Sequence, residues 1–127
     1  MSVNLYRVIL PVTDIERAVT FYAELLEAPG SRVSPGRHYF ECGGTILACF
    51  DPCSDGDAIE SRPNQGHLYF SVSDLNAAHE RATSAGRLSV DASVATMPWG
   101  EKCFYGEDPF GNPFCFVDDS TCFTGES

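Results

Sequence analysis

The sequence predicts an α+β fold: two βαβββ modules forming a cupped, mostly antiparallel sheet with the helices on its outer faces. Three observations predict it. First, Val12-Thr13-Asp14-Ile15-Glu16-Arg17-Ala18 returns 60 residues later as Val72-Ser73-Asp74-Leu75-Asn76-Ala77-Ala78. Second, each copy follows an apolar stretch and opens a stretch of helical periodicity. Third, Gly44-Thr45-Ile46-Leu47-Ala48 matches Gly111-Asn112-Pro113-Phe114-Cys115 at an interval of 67. These two offsets place Arg7 opposite His67 and Ala48 opposite Cys115.

With 127 residues, 43% of them apolar, the chain can bury one core. A repeat of half that length then means two modules in one domain spanning residues 1–127. Module one covers 4–50, a linker 51–65, module two 66–118 and a tail 119–127.

The elements follow in order. Leu5 to Val12 is apolar or aromatic apart from Arg7 and ends near Pro11, which suits a buried strand. Thr13 and Glu16 have the spacing of a capping box, hydroxyl at the N-cap and carboxylate three residues on. Ile15, Ala18, Val19, Tyr22, Leu25 and Leu26 then share one helical face, and Pro29-Gly30 stops the helix. Strands are expected at Ser31–Val33, Arg37–Cys42 and Thr45–Phe50, separated by Ser34-Pro35-Gly36 and Gly43-Gly44. Asp51 to Gln65 is polar and carries two prolines, hence the linker.

Module two repeats the order. A strand is expected at His67–Val72, then a helix capped by Ser73-Asp74 that carries Leu75, Ala78, Ala82 and Ala85 and ends at Gly86. Strands follow near Leu88–Ala95, Glu101–Gly106 and Pro113–Asp118. Asp108-Pro109-Phe110-Gly111-Asn112 supplies the turn for the last hairpin. The tail from Ser120 is polar apart from Cys122 and Phe123, and is expected to pack along the surface.

Composition excludes several function classes. No run reaches roughly 18 apolar residues, so no membrane span is expected. The start lacks a basic flank and a long apolar run, so no signal peptide is expected either, and the predicted location is cytoplasmic. Eighteen acids against eight bases give a charge of −10, and only one base is lysine, which argues against nucleic acid as a partner. Six cysteines without a CxxC pair point to reduced, mostly buried thiols rather than a disulfide framework or a zinc site.

Three segments carry a family likeness: Val12-Thr13-Asp14 running into Ala18-Val19-Thr20-Phe21-Tyr22, then Gly66-His67-Leu68-Tyr69-Phe70-Ser71-Val72, then Glu107-Asp108-Pro109-Phe110-Gly111-Asn112. In order and spacing they resemble the vicinal oxygen chelate superfamily, which includes glyoxalase I, extradiol dioxygenases and fosfomycin and bleomycin resistance proteins. The resemblance implies four inward-facing ligand positions for a divalent metal in the catalytic members. Carried onto this chain they fall on Arg7, Ala48, His67 and Cys115, with Leu47 or Cys49 in place of Ala48 if the register slips. A divalent ion needs about three or four imidazole or carboxylate ligands. A guanidinium and a methyl group supply none, so no metal site and no cofactor is expected, and a divalent ion at His67 is the disfavoured alternative.

The expected function is therefore binding of a small organic molecule in the sheet cup. The resemblance suggests antibiotic sequestration as in bleomycin resistance proteins, with a homodimer formed through open sheet edges. The alternative is a metal-dependent lyase, isomerase or dioxygenase with an atypical site. A purely structural module has no feature in its favour. The expected ligand-binding residues are Arg7, Ala48, His67, Trp99, Tyr105 and Cys115, with Phe104 replacing Tyr105 in the other hairpin register.

Four of the six carry a role of their own, and Tyr105 lines the same cavity. Arg7 is either ion-paired with an acid or clamps an anionic group of the ligand. His67 is the candidate general base, or else a buried histidine satisfied by backbone. Trp99, in a Pro-Trp-Gly run that resembles bleomycin resistance proteins, offers a stacking face or packs in the core. Cys115 is a small apolar filler, since nothing in the sequence fixes a base beside it.

Overall fold

The computed structural model describes residues 2–123, and these divide into two units between Asn64 and Gln65. The tail beyond Phe123 lies outside the described residues.

In unit one, strand β1 (Arg7–Pro11) leads into helix α1 (Ile15–Leu26), and β2 (Ser31–Ser34), β3 (Arg37–Cys42) and β4 (Thr45–Phe50) follow. The strand order is β1-β4-β3-β2, with β1 parallel to β4 and the other pairs antiparallel. Helix α1 buries Ile15, Ala18, Phe21, Tyr22 and Leu25 and packs on β3 and β4. The sheet meets it with Leu10, Phe40, Leu47 and Cys49, all buried. Phe21, absent from the expected stripe, joins the core by packing edge-on against Tyr22 at 4.9 Å.

The helix start differs from the expected capping box. Asp14, not Thr13, is the N-cap, and its carboxylate accepts from Arg17 N at 3.1 Å. A carboxylate suits the positive end of a helix better than a hydroxyl does. Glu16 is thereby left free to pair with Arg32 at 2.9 Å. The helix ends at Leu26 with Glu27 in the left-handed region at φ 53°. Gly30 then adopts φ +63°, where a Cβ would meet His38 and Phe40 within 2.8 Å, so only glycine fits. His38 is buried: it accepts from Arg32 Nε at Nδ1 and donates from Nε2 to Pro29 O at 2.8 Å.

The expected linker is partly structural. Pro52–Asp55 forms a 3₁₀ turn, and the Asp55 carboxylate accepts from Gly36 N (2.7 Å) and Ser34 Oγ (2.8 Å), closing the β2–β3 hairpin. Residues 57–67 that follow carry no helix or strand.

Unit two runs β5 (Leu68–Val72), α2 (Leu75–Ser84), β6 (Ser89–Val90), β7 (Ala95–Thr96), β8 (Lys102–Glu107) and β9 (Pro113–Asp118). Its order is β5-β9-β8-β6, β7 also pairs with β8, and β5 is parallel to β9. Among the described residues only two of the seven strand pairings are parallel, so the predicted α+β class with mostly antiparallel sheets holds. On the α2 side, Phe116 stacks on Phe70 (5.0 Å) and Phe104 (5.5 Å).

The strand expected over Leu88–Ala95 breaks into β6 and β7. The Asp91 carbonyl accepts from His79 Nε2 at 2.7 Å, while the Asp91 carboxylate takes the Tyr105 N–H at 2.9 Å. The side chain thus replaces the backbone acceptor and the ladder stops there.

Asp108 explains the Asp-Pro-Phe-Gly-Asn turn. Fully buried, its carboxylate accepts from Phe110 N (2.8 Å), Asn112 N (2.9 Å) and Asn112 Nδ2 (2.9 Å). In β8, a Cβ on Gly106 would meet the Phe114 ring at 2.6 Å, so that ring fixes the glycine. After β9, the hydroxyl of Thr121 accepts from Lys102 N at 3.1 Å. No helix among the described residues is long and apolar enough to cross a membrane.

Candidate functional site

Strand parity puts the candidate residues on the sheet faces opposite the helices. In unit one the register aligns Arg7 with Ile46 and Glu41, Ile9 with Ala48 and Tyr39, and Pro11 with Phe50 and Arg37. Leu47 and Cys49 point the other way, toward α1. Of Leu47, Ala48 and Cys49, Ala48 is therefore the one that shares a face with Arg7, and it is 0% exposed. Its methyl group leaves room above the central strand. Arg7 reaches diagonally across it, so that its Cζ lies 5.2 Å from the Tyr39 ring and 4.9 Å from the Tyr6 ring.

Unit two builds the same figure with different chemistry. Tyr69, Cys115 and Tyr105 lie in register across β5, β9 and β8. From the preceding turn of the same parity, the His67 ring meets Tyr105 edge-to-face at 5.2 Å. Cys115 below is 0% exposed. Arg7, Ala48 and Tyr39 in one unit thus correspond to His67, Cys115 and Tyr105 in the other. The two intervals seen in the sequence are the intervals of this figure.

Arg7 and His67 are both exposed, which corrects the expectation of a buried strand at Arg7 and removes the buried-histidine alternative for His67. Arg7 is the first residue of its strand, on the face the helix does not cover. Among the described residues it forms no ion pair; its partners are aromatic. The Tyr6 hydroxyl accepts from Nη2 at 3.4 Å, and that bond first, then the Tyr39 phenol, holds the guanidinium charged.

Arg37 extends the array. Its Nη1 donates to Tyr39 Oη at 3.1 Å, and its Cζ stacks 4.1 Å over the Phe50 ring. Neither Tyr39 nor Arg37 was a sequence candidate. Tyr39 had a signal, since it precedes Tyr105 by 66 residues, one short of the neighbouring match. Arg37 had none, because its counterpart in unit two is Cys103.

The Cys115 thiol is pushed up to about 12 by burial foremost and Cys103 next. Tyr105 is raised as well, again by burial first and then by Cys115. Cys103, Cys115 and Val117 form a small core on this face, covered by Met97, Tyr105 and Cys122. None of the six cysteines is in a disulfide: three are buried, Cys42 and Cys122 are half-buried and Cys53 is exposed.

Trp99 is at the tip of the β7–β8 hairpin, where Met97 N–H donates to Glu101 O and Gly100 takes φ +99°. The indole is 64% exposed and donates from Nε1 to Glu101 Oε1 at 2.9 Å. It is not a core residue.

Residues 4–116 match the model of the Glyoxalase/Bleomycin resistance protein/Dioxygenase superfamily. The chain belongs to this superfamily. No curated protein matches it. Among solved structures it is similar to a glyoxalase-related enzyme from Fulvimarina pelagi, with TM-score 0.75, 22% identity, and coverage of 91% of this chain and 87% of the other. A glyoxalase/bleomycin resistance protein from Albidiferax ferrireducens T118 gives TM-score 0.74 at 20% identity, covering 88% and 95%. Lactoylglutathione lyase from Agrobacterium tumefaciens gives 0.68 at 21%, covering 91% and 92%. At these identities the likeness is one of fold.

The donor set of this superfamily member does not fit a divalent metal at the four positions implied. Arg7 brings a permanent positive charge, Ala48 brings no donor, and the buried Cys115 holds its proton. Only His67 is a conventional ligand. Among the described residues no three His, Cys, Asp or Glu side chains are grouped to hold an ion.

Proposed function

We propose that the protein binds a small organic molecule on its open sheet faces without a resident divalent metal, in the manner of a sequestering antibiotic-resistance protein. One observation carries this: Arg7, at a position where catalytic relatives are expected to hold metal, is an exposed cation set against the Tyr6 and Tyr39 rings. A cation there repels a metal and attracts the anionic or π-rich part of an organic ligand. Aromatic surface with few polar groups is what such sites use, and Tyr69 and Trp99 add exposed rings in unit two. The strand edges left open in each sheet support a homodimer, which light scattering on the purified protein tests.

A second function, a lyase, isomerase or dioxygenase with an atypical metal site, is favoured by exposed His67 beside Tyr105. Elemental analysis of untagged protein separates the two. Well under one equivalent of Mn, Fe, Ni or Zn is expected. A full equivalent that disappears in His67→Ala would reverse the order. A thermal-shift screen of aromatic organic compounds should raise Tm, and no shift by any of them would count against sequestration.

A further inference from the structure

We infer that the open face of unit one is a receptor for a flat organic anion, an aromatic carboxylate or phenolate, held by Arg7 and Arg37 on either side of Tyr39. This rests on the small-molecule reading above and names the ligand class for one face.

Three features carry it. The chain has 18 acids for 8 bases, yet these two arginines have no carboxylate partner among the described residues, whereas Arg32 on β2 is paired with Glu16. Both guanidiniums are instead fixed by aromatic rings, Arg37 over Phe50 at 4.1 Å and Arg7 beside Tyr39 at 5.2 Å. A guanidinium presents five N–H donors. One donor of Arg7 goes to Tyr6 and one of Arg37 to Tyr39, which leaves most of each fork for a planar acceptor.

The ring contacts pre-order both side chains, so little rotamer entropy remains to be lost on binding. The Tyr39 hydroxyl accepts from Arg37, so its own proton is available to a ligand oxygen. Beside the charges lie Tyr6 and Ile9, both exposed, a flat apolar bed that suits an aromatic body and offers nothing to inorganic phosphate.

The test uses the full chain, isothermal titration calorimetry, and three probes of one shape: 2-naphthoate, uncharged 2-naphthamide and cationic 2-naphthylmethylammonium. Naphthoate should bind about tenfold or more tighter than the amide, as expected for charge-assisted hydrogen bonds. Arg7→Gln and Arg37→Gln should each weaken naphthoate by about tenfold and leave the amide unchanged. Arg37→Lys should recover only part of the loss, because the fork is gone. Arg17→Gln, on the exposed side of α1, should change nothing.

Equal affinity for naphthoate and naphthamide overturns the anion receptor while small-molecule binding stands. So does naphthoate binding that is indifferent to both arginine variants, or a preference for the ammonium probe. Failure of all three probes at millimolar concentration also overturns it, and the broader function is then judged by its own metal and thermal-shift results. Unchanged melting of the variants shows that any loss is local.

Discussion

Iodoacetamide offered to the folded protein at pH 8 should alkylate Cys53 long before Cys115. The Cys115 thiol stands near 12 against an ordinary 9.0, raised by burial first and by Cys103 second. At pH 8 its thiolate share is about 10⁻⁴, against about 0.1 for an ordinary thiol, so ionisation alone slows it by about a thousandfold. Full burial beneath Tyr105 slows it further, whereas Cys53 is exposed. Peptide mapping by mass spectrometry at timed intervals reads both sites in one sample.

The same shift fixes a pH dependence. The folded state holds the proton more tightly than the unfolded one, so this stabilisation is complete below pH 9 and is lost as pH rises toward 12. The urea midpoint should therefore fall through that window, with no pH dependence from Cys115 between pH 7 and 8. If Cys115 were alkylated within tenfold of Cys53, the thiol would be ionised and accessible. The packing role would then be wrong, and Cys115 would return as a nucleophile or metal ligand.

Three further outcomes are expected. Asp108→Ala removes the acceptor for three hydrogen bonds in the β8–β9 turn. At roughly 1–3 kcal/mol per stranded donor, partly relaxed, it should cost about 3–4 kcal/mol in urea unfolding, and a loss under about 1 kcal/mol would refute the account. Ala48→Leu overfills the space Arg7 crosses and should cost about 1–3 kcal/mol; a neutral result would mean that Arg7 does not depend on the small residue. Trp99 has Glu101 at its indole N–H and should serve as a platform for aromatic cations. Bleomycin-like compounds should change its fluorescence, with affinity falling as salt rises and by about 1–3 kcal/mol in Trp99→Ala; an unchanged affinity in that variant would remove Trp99 from the site.

Much of the fold is legible in the sequence because it rests on local rules. The apolar stripe of α1, the glycine turns and the Asp-Pro-Phe-Gly-Asn hairpin each act within a few residues, and the repeat reports two modules before any pairing is known. The intervals of 60 and 67 recur in the register, where Ile9 pairs with Ala48 as Tyr69 pairs with Cys115, although the sequence left Leu47 and Cys49 open in place of Ala48.

Other features were decided only by tertiary contacts. The strand after α2 broke because His79, from the helix, claims the Asp91 carbonyl. Arg7 looked buried by its neighbours along the chain, yet side-chain alternation turns it to the uncovered face. Tyr39 and Arg37 became candidates only when β3 was laid beside β4. Strand pairing joins residues far apart in sequence, and no local pattern along β1 carries the identity of the ring that Arg7 meets two strands away.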